Sequence, residues 1–398
     1  MKIVTKTRAL AVFALIAGIL FPSVALALPE EEFVDTIIEI DEKEGNKEVQ
    51  GTITKETYDK ISYIMPETGG AATGAVATVR VAEITYAEDS KSADFKRGEE
   101  AQDSGKWKDA IVSFQTALKD RNLRAIFKQH ARYRLAVCCE NNGSLEEAAK
   151  NYDALLKEFA DSRFLREAYE ALINVHIARG KPEDAEKVAA QAEKQARDLK
   201  LDINFTQKIV YLKGRVLEEK KMYPEAIKEF QRASADKTLD VASDALLAIG
   251  RCQVAQGQTD QAEETLRKVI SAAQGKNAEY TKAGAWNSIG DMYRKKAESI
   301  KEGGPEKIAL FDKALRTYLR SVVCWDKVNA TGKWSGKIEE FGKAMYYCAR
   351  CFDILKEGYK AEPEKSDRYR TRAQQLYAET AAFFVGTRWP DEARKWMK

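Results

Sequence analysis

The chain has 398 residues, 44% hydrophobic and 32% charged, with 65 Lys+Arg against 62 Asp+Glu. That near balance excludes the basic excess or stripe that a nucleic-acid partner demands. Beyond the N-terminus, no stretch is long and apolar enough to cross a membrane.

Residues 1–27 read as a secretory signal. Lys2, Lys6 and Arg8 form a basic start, Ala9–Phe21 is an apolar run, and Pro22 breaks it. Ala25-Leu26-Ala27 is a small-x-small cleavage site, so the mature chain is expected to begin at Leu28. The apolar run falls short of the ~20 residues a span needs. Removal of those three basic residues leaves 62 Lys+Arg against 62 Asp+Glu. The expected location is outside the cytoplasm, periplasmic or secreted, with no integral span after cleavage.

Residues 28–90 predict a small β domain. Thr36–Ile40, Glu48–Thr54, Ile61–Met65, Val79–Val81 and Ile84–Tyr86 read as short strands, with a tight turn at Gly45-Asn46. Strands of this number and spacing suit a small barrel or curled sheet and loosely resemble SH3-like or Sm-like barrels. The Gly/Ala/Thr-rich stretch 66–77 reads as a flexible loop. A domain this small buries little on its own, so docking on the first helical repeat is expected, with Ala87–Lys91 as connector.

A repeating pattern follows over residues 91–385. Gly98, Gly105, Trp107, Ala110, Phe114 and Ala117 are answered about 38 residues on by Ala136, Gly143, Leu145, Ala148, Tyr152 and Leu155. Small residues at the Gly98 and Ala110 positions let two helices approach. Gly105 ends the first helix where a positive φ is needed. Trp107 covers the turn, and Phe114 is expected to fill the space towards the next unit. Further copies carry Leu172, Gly180, Ala185 and Ala192; Gly214, Tyr223, Ala226 and Phe230; Gly250, Gly257, Ala262 and Leu266. A sixth, with Gly290, Ala314 and Tyr318, holds an insertion around 297–310, and a degenerate seventh follows. Residues 386–398 read as a capping helix with Pro390 in its first turn.

This pattern resembles the tetratricopeptide repeat family, whose unit is a helix–turn–helix of about 34 residues. The implied fold class is mostly α: a solenoid of six to seven helical hairpins preceded by a small all-β, barrel-like domain. In that family the first helix of each unit lines a concave groove. Aligned to it, Tyr133 and Val137, Glu170 and Asn174, Tyr211 and Arg215, Leu247 and Arg251, and Asn287 and Asp291 face the groove, with Arg294 one turn on. Arg215 and Arg251 in consecutive units would suit an acidic segment or a terminal carboxylate. A full carboxylate clamp is not matched, since Leu212, Ala248 and Ser288 occupy positions where polar residues are expected.

Catalytic chemistry finds no footing. No nucleophile elbow, phosphate loop, dinucleotide fingerprint or calcium loop is present. The two histidines, His130 and His176, belong to no metal-ligand set, so neither metal nor cofactor is expected. His130 opens the second repeat towards the groove, and His176 reads as a hydrogen-bonded interior or edge residue. The six cysteines fall in predicted helices and read as small buried hydrophobes, Cys348 and Cys351 included. Trp325 and Trp334 flank a linker and read as core. The resemblance implies a non-catalytic scaffold that binds other envelope proteins or peptides. A glycan or cell-wall-fragment binder is the alternative, and an accessory part of a peptidoglycan-active enzyme a more distant one.

Overall fold

The computed structural model describes residues 34–40, 45–65, 72–87, 91–236, 241–273, 278–301, 303–330, 338–384 and 387–397. The expected signal segment, the connector residues 88–90 and Trp334 lie outside them.

Five strands come first: β1 (Asp35–Glu39), β2 (Lys47–Glu56), β3 (Lys60–Ile64), β4 (Thr73–Ala77) and β5 (Val81–Thr85). They form one antiparallel sheet in the order β4-β3-β2-β1-β5. Its two edge strands are consecutive in the chain, joined only by the 3₁₀ turn Thr78–Arg80, so the sheet must curl. The long β2 makes this possible: it pairs with β1 along one half and with β3 along the other, with a register shift between Ile53 and Lys55. Inward positions alternate, so that Ile37, Val49, Ile53, Ile61 and Val76 are buried.

Two local expectations are corrected. Thr73–Ala77 is a strand rather than a loop, because its small residues allow an edge strand to lie against Tyr63; a Cβ on Gly74 would stand 2.4 Å from that ring. Val79 and Arg80 belong to the 3₁₀ turn that reverses the chain between the edges.

Seven helical hairpins follow: α1 (Ala93–Asp103) with α2 (Trp107–Ala117), α3 (Ala125–Asn141) with α4 (Leu145–Glu158), α5 (Leu165–Ala178) with α6 (Pro182–Asp198), α7 (Ile203–Glu219) with α8 (Tyr223–Ala233), α9 (Val241–Ala255) with α10 (Thr259–Ala272), α11 (Ala278–Ser299) with α12 (Pro305–Ala330), and α13 (Ile338–Gly358) with α14 (Pro363–Phe383). A short α15 (Trp389–Arg394) closes the described chain. The insertion of the sixth unit is absorbed by lengthening both its helices.

Helix starts are set locally. The side chain of Ser92 accepts from Phe95 N, and that of Asp202 from Phe205 N. Prolines occupy the first turns of α6, α8, α14 and α15. Gly105 ends its turn at φ +68°.

Phe114 packs inside its own hairpin rather than towards the next one. Its ring lies so close to Gly98 that a Cβ there would be 2.7 Å away. Tyr318 meets Gly290 in the same way. The missing side chain on the first helix is the seat for the ring on the second.

The sheet shares its core with the first hairpin and makes its hydrogen-bonded contacts with the second and third. Thr57 bridges Ser162, Tyr58 N donates to Asp161 O, and the Tyr58 hydroxyl reaches Leu199 O at the end of α6. Ile37, Val49, Ile53 and Ile61 join one hydrophobic core with the first hairpins, reaching Val216 on α7. His130 is therefore not a groove residue. It is buried, with Nε2 2.6 Å from Glu56 Oε2. His176 is half-buried, its Nδ1 3.4 Å from Arg179 Nη1.

All six cysteines are buried and unbonded to one another. Burial raises the thiols of Cys138 and Cys139 to about 11 and of Cys252 and Cys351 to about 12, which makes them unreactive. Among the described residues no helix is long and apolar enough to cross a membrane, and no His/Cys/Asp/Glu group is arranged to hold a metal ion.

Candidate partner-binding groove

The first helices of the third to seventh hairpins bring side chains to one concave cavity of about 650 Å³. Residues three and four apart share a helix face, so each helix contributes a stripe. α5 supplies Glu170 and Asn174; α7 supplies Lys208, Tyr211, Arg215 and Glu218; α9 supplies Asp244, Leu247 and Arg251. α11 supplies Tyr280, Gly284, Ser288, Asp291 and Lys295, and α13 supplies Glu339, Glu340 and Lys343. Trp325 reaches the wall from α12.

Of the eleven groove residues expected from sequence, Glu170, Asn174, Tyr211, Arg215, Leu247, Arg251 and Asp291 line this cavity. Tyr133 lines a separate cleft of about 540 Å³ between β5 and the first hairpins, stacked on Phe164 at 4.4 Å. Asn287 and Arg294 lie outside both walls. Asn287 is buried, and its Nδ2 donates to Glu340 O at 2.9 Å, tying α11 to α13. Arg294 lies over the Tyr347 ring at 4.2 Å and pairs with Glu298 at 2.8 Å. The long α11 presents Gly284 and Ser288 to the cavity, one residue off the step that fits α7 and α9.

Arg215 and Arg251 share the cavity but differ in state. Arg251 is doubly hydrogen-bonded to Glu218, Nε to Oε1 at 3.0 Å and Nη2 to Oε2 at 2.9 Å. Arg215 donates from Nη1 to Asn174 Oδ1 at 2.8 Å and meets no carboxylate among the described residues. A pair of open guanidinium groups is thus not what the wall presents: one charge is already answered by Glu218.

The far end carries a denser network. Lys343 Nζ stands 2.6 Å from Asp291 Oδ2, and the Tyr318 hydroxyl donates to Asp291 Oδ1 at 2.6 Å. Burial opposes ionisation of Asp291, but Lys343 and the Tyr318 hydrogen bond outweigh it and hold the carboxyl below its ordinary range. Lys343 is held above its own ordinary value by Asp291 and Glu340, against its burial. The arrangement offers fixed charges, hydrogen-bonding groups and aromatic surface for a chain segment laid along the wall.

Lys208, Glu218, Asp244, Tyr280, Trp325, Glu340 and Lys343 were missed by sequence reasoning. Lys208, Glu218 and Asp244 could have been found by continuing each stripe one more turn along its helix. Trp325 and the α13 residues carry no such local signal.

This fold and wall define a solenoid of helical hairpins with a cavity of about 650 Å³ along its first helices. A tetratricopeptide repeat model matches residues 95–163 and 170–240, and a second such model matches residues 217–286. Residues 95–163 and 170–286 are thus matched as tetratricopeptide repeats, and the later helices continue the same hairpin architecture. Three solved structures resemble the chain at low identity. BtubC (BKLC) from P. vanneervenii is 15% identical with a TM-score of 0.43, covering 61% of this chain and 91% of its own. PilF of Pseudomonas aeruginosa is 16% identical with a TM-score of 0.38, covering 67% and 96%. PilW, a type IV pilus biogenesis factor, is 14% identical with a TM-score of 0.42, covering 67% and 98%. No curated protein matches the chain. Repeats of this family generally serve as interaction scaffolds, and protein partners follow from the fold.

Proposed function

We propose that the protein is a non-catalytic interaction scaffold of the bacterial cell envelope that takes segments of partner proteins along its concave wall. The observation that carries this reading is the continuity of the cavity: five successive first helices, from α5 to α13, contribute to one space. A channel fed by consecutive units suits an extended chain better than a compact small molecule. Tyr211 supplies rigid amphipathic surface at its centre, and Arg215 a cation held in place by Asn174. The envelope part of the proposal rests on the sequence of residues 1–27.

The test is site-specific photo-crosslinking in cells. A crosslinker at Tyr211 should yield a discrete partner adduct in the envelope fraction, and one at Val112, exposed on α2, should not. Adducts formed only from Val112, or a chain found only in the cytoplasm, would refute the corresponding half of the proposal.

A further inference from the structure

The groove is uneven in charge. Its wall carries seven carboxylates, Glu170, Glu218, Glu219, Asp244, Asp291, Glu339 and Glu340, against five cations. Three of those cations are engaged within the wall: Lys208 with Glu170 at 2.8 Å, Arg251 with Glu218, and Lys343 with Asp291. Around Tyr280 the excess is local. Asp244, Glu340 and Tyr280 line the same part of the cavity wall, and burial raises the Tyr280 hydroxyl pKa with Asp244 and Glu340 acting in the same direction and Arg251 against them. Glu340 accepts from Asn287 and is 3.8 Å from Lys343, and Asp244 forms no ion pair with any described residue.

A second, independent observation lies beside it. Trp325 lines the same end of the cavity at 3% exposure, and its indole Nε1 is buried without a hydrogen-bond partner among the described residues. Its ring is fixed between Phe341, stacked at 6.0 Å, and Tyr280, edge-on at 5.2 Å. A buried donor left unmade is costly, and an indole N–H can only donate. What completes it is an acceptor brought by a ligand, and a backbone carbonyl of an extended segment is the plainest one.

We infer that the Tyr280–Trp325 end of the groove is a subsite for a basic side chain, Lys or Arg, of a bound partner segment. Asp244 and Glu340 face the cation, and the Trp325 indole donates to a main-chain carbonyl of the same segment. This rests on the groove reading above, and it reverses the acidic ligand that Arg215 and Arg251 suggested from sequence alone.

The probes are two pools of terminally blocked nonapeptides with neutral mixed flanks, one with Arg fixed at the centre and one with Glu, titrated into the full chain by fluorescence anisotropy. The Arg pool should bind about tenfold tighter at low salt, and Asp244→Lys should abolish that preference. Trp325→Phe should weaken both pools while leaving their ratio unchanged. Asp244→Asn, a milder change at a half-buried site in the first turn of α9, should cut the ratio without altering the circular dichroism. Preference for the Glu pool, lost in Arg215→Ala, would overturn the subsite and leave the groove reading intact. Binding indifferent to Asp244, Arg215 and Trp325 alike would overturn both. If neither pool binds, the subsite fails, and crosslinking from Tyr211 decides the groove reading by itself.

Discussion

Arg124 closes on Asp35 across the seam between sheet and second hairpin, Nη2 to Oδ2 at 2.8 Å and Nη1 to Oδ1 at 3.3 Å. Asp35 is fully buried and also accepts from Ile53 N and Ala87 N, so its oxygens are saturated. Arg124 in turn donates to Ile53 O. Removing one partner leaves the other charged, buried and unanswered. Arg124→Ala should therefore destabilise the docked sheet by about 3–5 kcal/mol. Arg124→Met combined with Asp35→Leu should recover much of that loss, because no lone charge remains. Urea unfolding followed by hydrogen exchange of β1 and β2 would measure both. A double variant as unstable as the single one would show that the pair does more than neutralise itself.

The second link across the seam is sensitive to acid. Glu56 is buried, which works to raise its pKa, but the His130 hydrogen bond and the charges of His130 and Arg163 outweigh burial and lower it from 4.5. Tyr86 also donates to it, at 2.5 Å. A carboxyl with a depressed folded-state pKa stabilises the fold above its unfolded value and loses that contribution as pH falls through the folded one. Amide exchange in β2 and α3 should thus accelerate below about pH 4.5, and Glu56→Gln should flatten that acid limb. An unchanged acid limb in Glu56→Gln would place the sensitivity elsewhere.

These two links explain why the array was legible in sequence and the seam was not. The helix-pairing signals lie within one hairpin: Gly98 needs Phe114, and Gly105 needs only its own backbone. Such patterns recur and announce themselves. The seam joins Asp35 to Arg124 over 89 positions and Glu56 to His130 over 74, with no repetition. One signal was available. Asp35 is in phase with Ile37 on the inward face of β1, and a carboxylate at a core position requires a partner. The groove was legible where its helices follow the common step, as at Tyr211 and Arg215. It was misread at Asn287, where a buried hydrogen bond to α13 turns the side chain away from the cavity.

One repeat breaks its own turn rule. Lys221 adopts φ +60° between α7 and α8, at the place that Gly105, Gly143, Gly180 and Gly257 hold in other hairpins. A side chain in this conformation costs about 1 kcal/mol relative to glycine. Lys221→Gly should raise stability by about that amount, read as a higher urea midpoint with unchanged slope. A loss of stability would mean that the Lys221 side chain makes a contact worth more than the backbone strain.

Gly290 connects the hairpin seat to the groove. A Cβ there would stand 2.7 Å from the Tyr318 ring, nearer than side chains approach. That ring cannot swing away without consequence, because its hydroxyl donates to Asp291, which also holds Lys343 on the cavity wall. Gly290→Ala should cost about 1–3 kcal/mol through overpacking. It should also weaken peptide binding at the far end of the groove, with Asp291 and Lys343 unmutated. Gly303→Ala meets open space and serves as the control for an added methyl group. Thermal unfolding and anisotropy titration on the same two variants separate the effects. A destabilised Gly290→Ala that binds peptides normally would show that the Tyr318–Asp291 contact holds the hairpin together without setting the wall.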